Sequence, residues 1–490
     1  MTSTLPWVLP LVPVISGLCM LLFRDRRVLA ALDMASSGVI LALGLVLAGE
    51  VAAAGPISAL GAMRADEVTV IFLLLIGFLA LAVSICTVGW MRQSLARSEM
   101  KADRLHYYYA LVQGFIATML VTVLSDNLGI LWIAMEGTTI TSAVLVGFQG
   151  NKHSLEAAWK YIIVTTIGIS FGLFGTVLIY GAAAHAQGGV FAGAMNWSSI
   201  SAISGKLDPG IVRMGFIFVL VGYGTKAGLA PVHMWLPDAH SQAPTPVSAL
   251  LSGALIKCAL FGIIRFHTIA RGACGPEFSG NLLLWFGVIS VVVATPFIIV
   301  QHDLKRLLGY HSVEHVGIVV LGLGFGGPLG TYGALLHTIN HGVTKALAFL
   351  IAGDAIHRYD SRDMRVIKGF LGVAPWAGTL LFMGAFSLAG TPPFSIFISE
   401  LLIVRAGLAS SHYWAVGIFL VMVVVIFAGL IHHVGQMVLG IAAEPVSREK
   451  ESRLGLLGLL LLAAVIVLLG VCMPAGFDRL LVRATEIIHG

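Results

Sequence analysis

The chain has 490 residues, of which 58% are hydrophobic and only 11% charged, with a mean hydropathy of +0.95; a soluble domain carries roughly a quarter charged residues. The net charge of +5 comes from basic residues scattered through short connections rather than clustered, which excludes a nucleic-acid surface and fits retention against one face of a membrane. Lipid offers backbone groups no partners, so the chain must cross as helices or as a closed barrel.

Apolar runs of about 20 residues, not alternating ten-mers, predict helices. In chain order the spans fall near 7–23, 28–54, 67–90, 105–124, 127–148, 155–184, 211–235, 243–267, 280–301, 305–325, 329–353, 370–407, 414–440 and 454–474, about fourteen in all. No basic residue precedes the first run, and Arg24, Arg26 and Arg27 follow it, as in a retained helix rather than a signal peptide. Lys and Arg crowd the odd-numbered connections, from Arg24 through Arg97, Lys101 and Arg104 to Arg362, Arg365, Lys368, Arg448, Lys450 and Arg453. The even-numbered connections and the tail carry only Arg64, Lys206, Arg271, Arg479 and Arg483. The positive-inside rule then puts the odd connections in the cytoplasm and both termini outside the inner (cytoplasmic) membrane.

Spans seven and twelve are interrupted in the same way. The first contains Gly224, Gly228 and Pro231 around Lys226, and the second Pro392 and Pro393 before Glu400. Broken helices at matching places point to an inverted repeat with a site at mid-membrane. The expected organisation is three N-terminal helices (1–104), a first five-helix repeat (105–268), a second (280–440), and a last helix with its tail (454–490).

Five ionisable residues stand inside these runs: Glu136, Lys226, Lys257, Lys345 and Glu400. An ionised Lys or Asp at a helix centre costs roughly 2.5–3.5 kcal/mol on the gentlest insertion scale, and such residues mark ion or proton pathways. Glu136 lies too deep in its span to snorkel. A Glu and a Lys within reach form a switch, because a nearby opposite charge keeps each ionised and its withdrawal favours the neutral forms; the plain alternative is a static ion pair. His337, His341 and Lys345 recur every four residues and so share one helix face, and His311 and His315 do the same in span ten. This spacing could seat a metal, but no third ligand of the H-E-x-x-H kind is evident, so no metal is expected. The turn holding His233, Asp238 and His240 is a cytoplasmic segment through which protons could be admitted. Gly322, Gly324 and Gly327 satisfy G-x-G-x-x-G without a preceding strand and carry no dinucleotide reading. The five cysteines form no C-x-x-C, so redox centres belong to other chains.

Residues 224–266, GTKAGLAPVHMWLPDAHSQAPTPVSALLSGALIKCALFGIIRF, resemble the signature of the antiporter-like subunits of respiratory complex I, Mrp-type cation/proton antiporters and group-4 membrane-bound hydrogenases. The segments LWIAMEGTTITSAVLVGF, QHDLKRLLGYHSVEHVG and LHTINHGVTKALAFLIAG agree. The resemblance implies an all-α fold of fourteen helices with two inverted five-helix repeats. It also implies roles: Glu136 and Lys226 as the paired charges of spans five and seven, Lys257 as a connecting lysine, and His315, His337, His341 and Lys345 as a central axis. Glu400 stands where some members carry a terminal glutamate. The wording SLAGTPPFSIFISELLIV is closer to the hydrogenase-4 and formate hydrogenlyase component F branch than to complex I. The expected role is therefore a proton- or Na⁺-translocating subunit without redox chemistry of its own. Iron–sulfur clusters and a NiFe centre, or flavin and quinone, would reside in partner subunits. A complex I or Mrp-type subunit is the sibling reading, and a non-pumping scaffold or an intramembrane haem protein the remote ones.

Overall fold

A computed structural model describes residues 3–59, 61–189, 193–441, 446 and 451–489. Arg448 and Lys450 of the loop-charge pattern lie outside the described residues. Each long apolar run forms a helix, and many of the helix starts are marked by a polar residue at the water boundary. Asp25, Asn127, Asn151, Asp208, Asp303 and Ser452 each accept a hydrogen bond from a first-turn amide.

The helices are α1 (Leu5–Met20), α2 (Arg26–Ala54), α3 (Glu67–Ala96), α4 (Leu105–Leu124), α5 (Leu128–Val146), α6 (Lys152–Ala186), the short α7 (Trp197–Ala202) and α8 (Pro209–Ala227). After α9 (Trp235–Gln242), α10 (Thr245–Leu250) runs through a π-helical turn, Leu251–Leu255, into α11 (Ile256–Cys274). There follow α12 (Pro276–Val300), α13 (Leu304–Phe325), α14 (Gly327–Tyr359), the single turn α15 (Phe370–Val373), α16 (Pro375–Leu388), α17 (Ser395–Ala409), α18 (Tyr413–Leu439), α19 (Arg453–Val471) and α20 (Ala475–His489).

Among the described residues, 11 helices are long and apolar enough to cross a membrane on length and composition alone. The remaining traverses are α1, α14, whose polar side chains lower its hydropathy, and the half-helix pair α16–α17. The expected all-α membrane fold and all fourteen traverses are present. Three details differ. Span seven stops at Ala227 instead of continuing to 235, the tail forms a further amphipathic helix, α20, and residues Ile57–Ala59 and Met63–Ala65 pair as a small antiparallel hairpin.

The fourth traverse of each five-helix half is the broken one: α8, which ends at Gly228, and α16–α17, interrupted at 389–394. Gly224 is not itself a break. It stays helical and its carbonyl accepts the Leu229 amide at 2.9 Å, while Gly228 leaves the helix at φ +81°. Both Ala230–Pro231 and Pro392–Pro393 are cis. The stretch α10–α11 is buried on every side, whereas α2, α18 and α19 present most of their surface outward. The buried lysines Lys226, Lys257, Lys305 and Lys345 lie on α8, α11, α13 and α14, and buried histidines accompany them on the last three.

Candidate functional site

Lys226 occupies the last turn of α8 and is completely buried. The break beside it is chemically quiet because its freed groups are satisfied: Trp235 Nε1 donates to Thr225 O at 2.8 Å and the Ala230 amide donates to Ser290 Oγ at 3.0 Å. Close packing of glycines brings α6 alongside. A side chain at Gly222 would collide with the Gly172 backbone, and one at Gly175 with Gly215 O. That approach delivers Tyr161 and Thr166.

Glu136 and Lys226 do not touch as an ion pair; a hydroxyl stands between them. Lys226 Nζ donates to Thr139 Oγ1 at 2.8 Å, and Thr139 Oγ1 donates to Glu136 Oε2 at 3.2 Å. Tyr161 OH accepts a second bond from Nζ at 2.6 Å and shares a hydrogen bond with Ser142 Oγ at 2.7 Å. Thr166 Oγ1 donates to Glu136 Oε1 at 2.9 Å. Glu136 is only half-buried, on a side of α5 where Ile133 and Ile140 are more than 60% exposed (63% and 62%).

The second cluster begins at the π turn, whose wider ring presents Ser252 O toward the chain five residues on. Lys257 Nζ donates to that carbonyl at 2.7 Å and to His341 Nδ1 at 2.8 Å. His341 stacks on His315 with ring centroids 4.6 Å apart. His315 Nδ1 lies 3.0 Å from His337 Nε2, and His337 Nδ1 lies 3.0 Å from Ser399 Oγ. Ser399 precedes Glu400, whose carboxylate packs against Gly390 in the break so closely that no side chain fits there. A buried polar file thus runs Lys257, His341, His315, His337 and Ser399, hydrogen-bonded except for the His341–His315 stack, and the Glu400 carboxylate lies within 4.8 Å of ligand nitrogens of His315 and His337. Among the described residues no hydrogen-bonded side chain joins Lys226 to Lys257, so the two clusters are separate.

Lys345 donates from Nζ to Leu308 O at 2.8 Å. His311 turns to Glu314, with Nδ1 2.8 Å from Oε2 in ion-pair contact rather than hydrogen-bond alignment. Glu314, 2% exposed, is a further buried charge, absent from the sequence-based expectation. It stands between His311 and His315 in QHDLKRLLGYHSVEHVG, where burying a carboxylate carries the same cost as at Glu400. Thr139, Tyr161 and Ser399 carried no such signal. The three expected admission residues separate. Asp238 is held by Arg306 at 2.9 Å and Lys160 at 3.4 Å, and His233 sits at the margin, 8% exposed. His240 is fully buried on α9, not in an exposed turn: its Nδ1 donates to Leu236 O at 2.9 Å and its Nε2 has no partner.

The expectation that no third metal ligand exists is corrected. His311, Glu314 and His315, and likewise His315, His337 and Glu400, have ligand atoms within 4.8 Å of one another. Opposed histidines exist on α13 and α14, yet His315 and His337 bond each other directly, leaving no width for a haem between them. The five cysteines are free.

A bundle with two broken helices and a buried Lys, His and Glu file defines an antiporter-like membrane subunit. The chain belongs to the NADH:quinone oxidoreductase/Mrp antiporter transmembrane family, whose profile matches residues 125–426. It is 35% identical over 346 residues to a hydrogenase-4 component F homolog of Methylacidiphilum infernorum, covering 71% of this chain and 72% of that one. It is 30% identical over 350 residues to hydrogenase-4 component B of Escherichia coli, covering 69% of this chain and 50% of that protein. In fold it is similar to a chain of the archaeal membrane-bound sulfane sulfur reductase, with TM-score 0.86, 22% identity, and 99% of this chain and 98% of that chain covered. A chain of the Mrp complex of Dietzia sp. gives TM-score 0.83 and 20% identity, with 99% and 96% covered.

Proposed function

We propose that this protein is the proton-translocating membrane subunit of a group-4 [NiFe] hydrogenase or formate hydrogenlyase-like complex. The buried row of Lys257, His341, His315, His337 and Glu400 supports this reading, because titratable side chains at hydrogen-bonding, stacking or near-neighbour distance in a dry interior have the form of a proton relay. Redox energy released in partner subunits would reset the Glu136–Thr139–Lys226 bridge. With Thr139 donating to the carboxylate the lysine keeps its proton, and when that contact opens the proton is driven toward Lys257 through water recruited between the two clusters. It would then pass along His341, His315 and His337 to leave near Glu400, with Lys345, His311 and Glu314 as a second charge set beside the file. Moving one charge against 100 mV requires about 2.3 kcal/mol, on the scale of rearranging a buried charge pair.

The hydrogenase assignment rests on the similarity to hydrogenase-4 components, and it implies NiFe and iron–sulfur partners in the inner membrane, with uptake at the cytoplasmic face. Affinity purification of the tagged chain from its native membrane tests it. Co-isolation of a nickel-containing large subunit is the expected result; a flavin-containing NADH-oxidising module, or only other antiporter-type subunits without nickel, would move the chain to the complex I or Mrp branch.

A further inference from the structure

A polar recess of about 410 Å³ opens between the loop after α3, the start of α10 and the C-terminal end of α14. Its rim residues Ser98, Asn151 and Asp360 are exposed, so water reaches it. Inside it lies a histidine for which the relay described above has no use. His357 is 5% exposed, and its Nε2 stands 3.0 Å from Glu99 Oε2 and its Nδ1 3.1 Å from Gln93 Oε1. Both of these neighbours are acceptor oxygens, which the imidazolium satisfies together, while Ser94 Oγ, 3.3 Å from Nε2, can turn its hydroxyl to that nitrogen when the ring is neutral, so the site accommodates both states. Trp90 stacks on the ring at 5.7 Å, and Ser94 Oγ donates to Glu99 Oε2 at 3.1 Å. Burial opposes the charge on Glu99, but His357, with the Ser94 hydroxyl and the Arg97 charge, outweighs it and holds the carboxyl below its ordinary range.

The same recess is lined by Lys305, 3% exposed. Its Nζ donates to Ala243 O at 2.8 Å and to Ser248 Oγ at 3.2 Å, and Ser248 Oγ donates to His240 O at 2.8 Å. His240 then faces inward with Nε2 unpartnered, within electrostatic reach of Lys305, Lys257 and Lys345. The other charged groups around His357 are Asp360, which pairs with Arg97 at 3.4 Å, and Arg362 of the lining. Glu99 is the carboxylate in direct contact.

We propose that the His357–Glu99 pair is the proton-loading site that feeds the buried file by way of Lys305 and His240. This rests on the transport reading above. Hydronium in the recess gives its proton to the His357 imidazole and leaves as water. The imidazolium passes that proton through recess water to Lys305 when its amine is free, which regenerates the imidazole, and Lys305 then gives a proton through water to the unpartnered Nε2 of His240 and returns to its amine. Glu99 stabilises the imidazolium and takes no proton.

The test uses the whole complex in sealed native vesicles oriented with the recess outward, reading substrate-driven proton uptake against external pH. In the unaltered protein, uptake should fall as external pH rises through one titration step. Glu99→Gln removes the stabilising charge, so the step should move to lower pH by about one unit or more. His357→Gln should abolish the step and lower uptake at least fivefold below its midpoint. A role confined to packing would scale the rate equally at every pH, so an unmoved midpoint in Glu99→Gln together with a retained step in His357→Gln overturns the proposal. Lys226→Ala separates the two readings. If it abolishes uptake while both recess variants keep the original profile, the loading site is wrong and transport stands; if uptake in Lys226→Ala equals that of the unaltered protein, the transport reading itself fails.

Discussion

Thr139 bridges Glu136 and Lys226. A direct ion pair in an apolar interior tends to be static, whereas a hydroxyl that accepts from the ammonium and donates to the carboxylate can turn and break both contacts at once. Thr139→Val removes both bonds and leaves Lys226 with Tyr161 as its bonded oxygen; losing a buried partner of this kind costs about 1–3 kcal/mol. The expected outcome is at least a tenfold loss of substrate-driven acidification with assembly retained, and recovery in Thr139→Ser, read with a pH dye in inverted vesicles. Equal pumping by Thr139→Val and the unaltered protein would show that the bridge is incidental. Glu314→Gln should likewise impair pumping, by removing the buried carboxylate beside His311 and nearest in charge to Lys345. At this scale the sequence was legible for most of the buried charges, Glu314 excepted, and blind to hydroxyls. An ionised residue in a greasy run is conspicuous because its burial is costly, while Thr139, Tyr161 and Ser399 are ordinary helix residues whose partners lie on other helices.

The elements place those residues by close packing and interruption. Gly172 and Gly222 let α6 and α8 meet backbone to backbone, and Gly390 leaves room for the Glu400 carboxylate in the second break. Gly222→Leu should therefore force α6 from α8, with an overpacking cost of about 1–3 kcal/mol or more, and lower both the yield of intact complex and its melting temperature. Gly435→Ala on the outward-facing α18, where an added methyl meets nothing within 4 Å, should be neutral or slightly stabilising by thermal-shift assay. Both breaks were legible, since proline removes a rung from the helix ladder and neighbouring glycines leave the backbone free to turn away. Their edges were not: hydropathy continues through Gly228 to Trp235, so span seven read as whole where the backbone turns. The burial of α9 was equally hidden, because His233, Asp238 and His240 look like a wet turn until α6 and α13 are packed against that helix. The tail helix α20 escaped for the opposite reason. Its amphipathic pattern is too polar for a span, yet Tyr332 OH donates to Asp478 at 2.6 Å and Thr331 shares a hydrogen bond with His489 at 2.9 Å, which fasten it against α14.

At the scale of the molecule, two halves each place a broken helix beside buried charge, and the polar file crosses from one half to the other through α11, α13 and α14. Lateral connection of this kind makes long-range coupling feasible without a redox group in the chain, since displacing one charge alters the field at the next. The half-exposed Glu136 on α5 would let a neighbouring subunit bias the first step. Inner-membrane placement and cytoplasmic uptake are inferred from the loop charges and carry over to the proposal. The most direct measurement is substrate-driven acidification of inverted vesicles containing the complete complex, with redox turnover followed in parallel, for Lys226→Ala and Glu136→Gln. Both variants should assemble and turn over substrate while acidification falls to the uncoupled background; acidification at the unaltered rate in both would contradict proton translocation driven from the Glu136–Thr139–Lys226 bridge.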